Sequence, residues 1–244
     1  MDYRKIIDKG VPEHIAIILD GNGRWAKQRH MPRTYGHKMG LKNLEKVAKI
    51  CDEIGVRCLT VFAFSTENWN RPKEEVEFLM QTPVNFFSKN LDKLTSGRIC
   101  INFIGRKDRF SKETLEAINS IEEMTKNNKG MKLNVAFDYG SKYEIINVTK
   151  QIAAEVLGNK YNVSDIDEEL FEGYLFTKND PKLDLLIRTS GEMRISNFLL
   201  WQLSYAELYF TDCYWPDFNK KELFNAILSF QKRSRRFGSI SEEE

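Results

Sequence analysis

The residues best suited to phosphate and metal chemistry lie in the segment HIAIILDGNGRWA, residues 14–26. Its apolar part is nearly continuous, which is typical of a strand buried on both faces. Asp20 follows at the predicted carboxyl end of that strand, where α/β sheets place their ligands. Gly21 and Gly23 allow a sharp turn and bring backbone N–H groups close to a ligand.

The acid and the glycine turn together predict a phosphate site that also holds a cation. A helix starting near Arg24 would point its N-terminal amides at the same place, which favours an anion there. A carboxylate beside phosphate oxygens is a common way to hold Mg²⁺. Asp-Gly and Asn-Gly are also frequent in hairpin turns, so a simple turn is the alternative. Residues 24–29 do not alternate as a second hairpin strand would.

Composition predicts one α/β domain over residues 1–244, since no linker or low-complexity stretch divides the chain. The 37 basic and 35 acidic residues give a net charge of +2, too balanced for a general nucleic-acid binder. Residues 21–43, however, contain six basic residues and no acidic one. Either a solvated helix face or a polyanionic substrate explains that local excess.

The N-terminus and the cysteines predict a cytoplasmic protein. Residues 1–13 contain charges throughout and no apolar signal region. No stretch is long enough to span a membrane, so any membrane contact is expected to be peripheral. The four cysteines form no CxxC pair and are expected to be buried free thiols of a reducing compartment: Cys51, Cys58, Cys100 and Cys213.

Six strand-like runs alternate with helical patterns along most of the chain, which predicts a mostly parallel sheet flanked by helices. The runs are His14–Leu19, Cys58–Phe64, Ile99–Ile104, Leu133–Phe137, Leu183–Ile187 and Ala206–Phe210. Three of them end in polar segments, at residues 20–24, 65–68 and 188–191. These segments should meet at one edge of the sheet. Separated arginines aimed at one place suit a diphosphate, although a lone arginine more often pairs with a surface acid.

Four further residues have both a functional and a structural interpretation. His37, between Gly36 and Gly40, fits a donor to a phosphate oxygen or a polar residue near a helix start. Trp25 and Trp69 follow polar turn residues and could line an apolar path, or pack in the core. Glu207 lies among apolar neighbours, where an acid is costly unless it is paired or binds a metal.

The chain resembles the cis-prenyltransferases, in particular the bacterial undecaprenyl diphosphate synthases, over nearly its whole length. The matching segments are residues 14–26, 36–40, 64–72, 186–192, 194–218 and 235–238. The resemblance implies an Mg²⁺-dependent transferase that adds isopentenyl diphosphate to an allylic diphosphate such as farnesyl diphosphate. The product, a long polyprenyl diphosphate for the cell-wall lipid carrier, would grow in a hydrophobic tunnel beside the sheet.

The resemblance also assigns roles to individual residues. Asp20 matches the acid that engages Mg²⁺ and the allylic diphosphate, and Glu207 matches a second Mg²⁺ contact. Asn68 matches a residue proposed to take part in proton removal; a neutral amide is a weak base, so we interpret it as an orienting group. The allylic diphosphate site would comprise Gly21, Asn22, Gly23, Arg24, Arg33 and His37. Beside the reacting carbons and the apolar path would lie Ser65, Thr66, Glu67, Trp69, Arg71 and Trp25. The isopentenyl diphosphate site would comprise Arg188, Arg194, Ile195 and Ser196.

A symmetric homodimer is implied as well, in which Arg236 completes the isopentenyl diphosphate site of the partner. A basic, solvated tail is the alternative for that segment. The helical pattern after Pro72 carries an apolar stripe that is either core or a tunnel wall, with Pro83 expected to interrupt it. The stripe comprises Val76, Leu79, Met80, Val84, Phe87 and Leu91.

Other interpretations stay open at this stage. A non-catalytic accessory subunit would keep the fold but is expected to lack the turn at residues 20–24. A nucleotide-binding protein would be expected to carry a GxGxxG or GxxxxGK[ST] motif, and this turn has neither. The chain departs from the resembling family at Asp138, Ser141, Lys142 and Ser239, which leaves the details of those loops open.

Overall fold

The computed structural model describes residues 3–88 and 97–233. Its centre is a six-stranded sheet in the order β3-β4-β2-β1-β5-β6, and all five strand pairings are parallel. The strands are β1 His14–Ile18, β2 Cys58–Ser65, β3 Cys100–Ile104, β4 Lys132–Tyr139, β5 Leu185–Arg188 and β6 Glu207–Phe210. Each lies within two residues of its predicted bounds, so the predicted single-domain α/β fold is confirmed.

Helices lie between the strands and cover the sheet. They are α1 Tyr3–Asp8, α2 Asn22–Gln28, α3 Arg33–Glu53, α4 Lys73–Ser88, α5 Lys112–Thr125, α6 Ser141–Leu157, α7 Glu168–Glu172 and α8 Lys220–Gln231. Three short 3₁₀ turns occur at Thr66–Asn70, Val163–Asp165 and Trp215–Asp217. Helix α2 begins two residues before the predicted Arg24, and α4 continues through Pro83.

Strand β1 is buried on both faces, which explains its unbroken apolar sequence. Ile15 and Ile17 belong to one core cluster, shared with α3, α4, α5 and α8. Ala16 and Ile18 point to the opposite face and join a second cluster with Phe62 and residues 198–199. A central strand of a parallel sheet needs apolar side chains on both sides.

The cysteines meet the expectation of buried free thiols only in part. All four cysteines are free thiols; two are buried and two are partly buried. None of the helices in the described ranges is long and apolar enough to cross a membrane.

Candidate active site

A cavity of about 750 Å³ opens at the carboxyl edge of the sheet and extends beneath α3. Most of the residues predicted for the site line it: Asp20, Gly21, Asn22, Gly23, Arg24, Arg33, His37, Ser65, Asn68, Arg71, Arg188, Arg194 and Ser196. The remaining wall is largely apolar and includes Leu41, Leu44, Ala48, Leu79, Ile101, Leu133, Val135 and Phe137. The cavity therefore joins a polar, cationic region to an apolar one.

Asp20 is fixed at the end of β1 by its backbone and its side chain. Its amide donates to the Thr189 hydroxyl at 3.0 Å, and its carbonyl accepts from the Trp215 amide at 3.0 Å. Its carboxylate contacts Arg188 at 2.9 Å and Arg24 at 3.2 Å. Burial acts to raise the pKa of Asp20, but the two guanidinium groups outweigh it and hold the pKa below its usual value. Asp20 is therefore an anion at neutral pH.

Arg188 ties Asp20 to the following loop and is only 4% exposed. Besides its contact with Asp20, it donates to the Ser196 hydroxyl at 2.8 Å and to the Arg194 carbonyl. Ser196 has a positive φ of 50° and the next residue, Asn197, one of 62°, so the loop adopts an uncommon conformation. The buried guanidinium group gives that loop a fixed position against the end of β1.

Glu75 accepts hydrogen bonds from two arginines and a histidine on one side of the cavity. It is 8% exposed and accepts from Arg33 at 3.1 and 3.3 Å, Arg71 at 3.0 Å and His37 at 3.1 Å. Burial lowers the pKa of His37, although Glu75 acts to raise it, so the imidazole is neutral at pH 7. Glu75 therefore orients donors that the resemblance assigns to the allylic diphosphate.

Glu192 joins the two arginines assigned to different substrates. One oxygen contacts Arg24 at 2.8 Å, and the other pairs with Arg194. Together with the contacts at Asp20 and Glu75, this means that five arginines of the site share three carboxylates. The excess of positive charge is what a diphosphate would neutralise.

Two glycines permit the close packing at the mouth of the cavity. Gly21 has a φ of 97°, and a Cβ there would lie 2.6 Å from Tyr214. A Cβ at Gly23 would lie 2.8 Å from the guanidinium carbon of Arg33. Larger residues would displace the turn or that arginine, so the glycine turn is part of the site rather than a simple hairpin.

Asn68 lies in the 3₁₀ turn that follows β2. Its side-chain oxygen accepts from the backbone amide of Ser65 at 3.1 Å, and the Ser65 side chain caps the same turn in return. The amide oxygen thus shapes the turn, which agrees with an orienting role for Asn68.

Five predicted substrate contacts do not appear among the described lining residues of this cavity. Trp25 is 7% exposed and packs on Tyr35 and Arg29 between helices. Ile195 packs on the second core cluster. Trp69 packs on Phe64 and lines a smaller cavity of about 310 Å³ between α4 and α5. Thr66 and Glu67 lie in the same turn as Asn68 without lining the cavity.

Glu207 and Asp20 cannot share one ion within a single chain, which corrects the predicted metal pair for one protomer. Strand pairing sets Glu207 level with Leu185 and Ile15, so it lies five residues before Asp20 along the strand direction. At about 3.3 Å per residue this is roughly 16 Å. Glu207 instead pairs with Arg233. Arg236 lies outside the described residues.

The donor set at Asp20 fits an ion that takes most of its ligands from substrate. Among the described residues, no cluster of three or more His, Cys, Asp or Glu side chains could hold a metal. Asp20 is one partly exposed carboxylate beside cationic groups suited to phosphate. Mg²⁺ commonly binds one or two carboxylates and completes its shell with substrate phosphates and water.

The helical part of the cavity's apolar wall comes mainly from another helix than α4, whose stripe the sequence left open between core and tunnel wall. Helix α3 supplies most of the helical side of the cavity, and of the predicted α4 stripe Leu79 lines it. Three other members of the stripe, Val76, Met80 and Val84, line the smaller cavity. The side chain of Phe87 and the whole of Leu91 lie outside the described part of the chain.

Sequence reasoning missed Glu75, Glu192 and Asn197 as parts of the site. The side chain of Asn197 accepts from the Lys142 amide at 2.9 Å and donates to Glu67 at 2.8 Å, so it links the loop after β5 to the turn after β2. Glu192 and Asn197 carried a signal, since both lie inside matched segments. Glu75 reads from the sequence as an ordinary first-turn acid of a helix.

Comparison with known proteins points to one family. Residues 18–238 match the family model described as putative undecaprenyl diphosphate synthase. The chain is 51% identical to an isoprenyl transferase of Streptococcus pneumoniae, over 94% of this chain and 93% of that protein. It is 48% identical to an isoprenyl transferase of Bacillus anthracis, over 96% and 91% of the two chains.

Solved structures agree with the sequence matches. A lavandulyl diphosphate synthase from Lavandula x intermedia, in complex with dimethylallyl diphosphate, superposes with a TM-score of 0.90 at 38% identity, over 94% of this chain and 99% of that one. A probable undecaprenyl diphosphate synthase from Campylobacter jejuni gives 0.76 at 33% identity, over 93% and 99%.

Proposed function

The chain belongs to the undecaprenyl diphosphate synthase family of prenyl transferases, and on that premise we propose that it adds isopentenyl diphosphate units to an allylic diphosphate. Farnesyl diphosphate is the proposed starter, and a long polyprenyl diphosphate of the undecaprenyl type, for the lipid carrier of cell-wall synthesis, is the proposed product. The observation that carries the proposal is that one cavity has a cluster of arginines at its mouth and an apolar interior.

The reaction breaks the allylic C–O bond, forms a carbon–carbon bond to the isopentenyl double bond, and releases diphosphate and one proton. In this proposal Arg24, Arg33 and His37 bind the allylic diphosphate, and Arg194 and Ser196 bind the isopentenyl diphosphate. Two oriented substrates react far faster than free ones because their relative motion is already restricted. A phosphate oxygen of the substrate is the proposed proton acceptor, since Asn68 is a weak base.

Asp20 is the proposed protein ligand for Mg²⁺, whose charge helps to neutralise the leaving diphosphate. Arg188 and Arg24 keep Asp20 ionised and fix its position. Glu207 can join this metal site only from a second copy of the chain. A homodimer is part of the proposal, supported by two exposed hydrophobic residues near Glu207, Leu208 on the edge strand β6 and Tyr205 just before it.

The test is incorporation of labelled isopentenyl diphosphate into a product that extracts into organic solvent. We expect incorporation only when purified protein, farnesyl diphosphate and Mg²⁺ are all present. Omitting farnesyl diphosphate or adding EDTA should abolish it. Absence of incorporation in the complete mixture would contradict the proposal and favour a non-catalytic accessory subunit.

A further inference from the structure

The cavity has a second charged region, at the end opposite the arginine cluster. Helix α3 lines it from His37 to Asp52, a length of about 22 Å at 1.5 Å per residue. Leu41, Leu44 and Ala48 occupy the intervening turns, where Glu45 is the one charged lining residue of the helix. Lys49, Asp52 and Arg98 then line the far end. An apolar chain that grows from the cationic mouth must therefore reach charged side chains.

An ion pair lies at this distal end. The Arg98 Nε atom lies 3.3 Å from Asp52 Oδ2. The other carboxylate oxygen of Asp52 accepts from the Met131 amide at 2.9 Å, which anchors it to the turn before β4. A Cβ at Gly130 would lie 2.6 Å from Asp52 Oδ1 and 2.8 Å from the Arg98 carbonyl. The three segments are packed too closely there for any larger residue at position 130.

The two partners differ in how firmly they are held. The Asp52 side chain is 14% exposed and the Arg98 side chain 78% exposed. An ion pair with one solvated partner contributes little to stability, because water competes for the charge. Arg98 can therefore move away while Asp52 stays in place.

The finite size of the cavity makes this pair matter when the product is long. The same cavity of about 750 Å³ has to hold the diphosphates at its arginine-lined mouth as well as the growing apolar chain. The tail of a long product therefore reaches the charged end and has to pass it or displace the walls.

We propose that the Asp52–Arg98 pair is a gate at the distal end of the product tunnel and a determinant of chain length. The inference rests on the proposed function. A tail that reaches the gate has to separate Arg98 from Asp52 before it can advance. Condensations after the tail reaches the gate are therefore slower than earlier ones, and intermediates of that length accumulate.

The experiment compares product lengths at early times for wild type, Arg98→Ala and the double variant Asp52→Asn/Arg98→Leu. Asn keeps the oxygen that accepts from Met131, so the double variant removes charge with little loss of anchoring. We expect one intermediate length to accumulate in wild type at early times, and at least a twofold depletion of it in favour of longer chains in both variants. Arg98→Lys should restore the wild-type pattern, because it keeps the charge.

The matched control is Glu13→Gln/Arg57→Leu, which removes an exposed ion pair that does not line the cavity. It should leave the length distribution unchanged. Equal distributions in wild type and Arg98→Ala, or a shift to shorter chains, would overturn the gate while leaving the proposed function intact. Wild-type protein that makes no product at all would overturn both.

Discussion

Asp20 illustrates how a single residue of the site is defined by its surroundings. Its chain position, directly after a buried strand, is visible in the sequence. Its low pKa is not, because that depends on Arg188, which is 168 residues away along the chain. A residue's type and local position thus predict what it can do, and its long-range partners determine the charge state in which it does it.

Asp138 is one of the residues at which the chain departs from the pattern of the resembling family. It is fully buried at the end of β4, with a positive φ of 48°, and faces Arg109 at 3.4 Å. Burial raises the pKa of its carboxyl group, although the Trp69 indole and Arg109 act to lower it. Neither carboxylate oxygen makes a hydrogen bond of standard geometry.

Asp138→Asn should therefore raise the free energy of unfolding at pH 7, by about 1 kcal/mol, a typical size for one substitution. The folded carboxyl group holds its proton to higher pH than the unfolded one, so wild type loses stability as the pH rises through the raised pKa. The gain should shrink towards pH 4.5. Urea unfolding at both pH values measures it.

The exposed Asp108 supplies the control for this substitution. Arg106 lowers the pKa of Asp108, so Asp108→Asn should show no gain at pH 7. A loss of stability in Asp138→Asn at pH 7 would mean that the ion pair with Arg109 outweighs the cost of burying the charge.

At the scale of elements, the strands were the most predictable part of the molecule. An unbroken apolar run such as Ile15 to Ile18 is typical of a central strand that is buried on both faces. The glycine turn after it marks the edge of the sheet at which ligands bind. The sequence left the α4 stripe open between core and tunnel wall, because an apolar stripe shows that a helix is buried but not which neighbour it meets. Glu75 could not be predicted, since Arg33 and His37 lie 42 and 38 residues away.

The proposed division of the substrates between elements can be tested with two arginines. Arg33 lies at the start of α3 and pairs with Glu75, whereas Arg194 lies in the loop after β5 and pairs with Glu192. Arg33→Ala should raise KM for the allylic diphosphate about 10-fold or more, and Arg194→Ala should do so for isopentenyl diphosphate. Loss of a charged hydrogen bond costs about 1.5–3 kcal/mol.

Steady-state kinetics with each substrate varied in turn gives both values. Arg29→Ala is the matched control, because Arg29 pairs with Asp217 and is not among the described lining residues of the cavity. Equal effects of both site variants on both substrates would refute the two-site assignment.

At the scale of the whole molecule, the sheet separates two polar regions. The active-site edge is cationic and partly exposed, whereas the opposite edge contains a buried network around His14. His14 Nδ1 donates to the Pro181 carbonyl at 2.9 Å, so the neutral ring accepts from the Thr60 hydroxyl at 2.7 Å. Burial lowers the pKa of His14, although Asp180 and Asp184 act to raise it.

His14→Gln should lower the free energy of unfolding at pH 7.5 by about 1–3 kcal/mol, because Thr60 and Pro181 lose their partner. It should also flatten the decline in stability between pH 7 and 5.5. In wild type, the unfolded histidine takes up a proton below about pH 6.5, whereas the folded one stays neutral to lower pH. The free energy of unfolding therefore falls as the pH falls.

Chemical denaturation across this pH range measures both effects. Thr60→Val removes the same hydrogen bond but keeps the histidine, so it should lose stability and retain the steep decline. If the free energy of unfolding declined equally steeply with falling pH in His14→Gln and wild type, the decline could not be assigned to His14.

The central claim is that condensation takes place at Asp20, and the rate of labelled isopentenyl diphosphate incorporation in Asp20→Ala tests it most directly. The measurement uses saturating Mg²⁺ and farnesyl diphosphate, with farnesyl diphosphate binding measured in parallel. We predict that binding is largely retained and that turnover falls by roughly 10²–10³-fold, the usual loss when a contact that stabilises transition-state charge is removed. Turnover close to that of wild type would contradict the account.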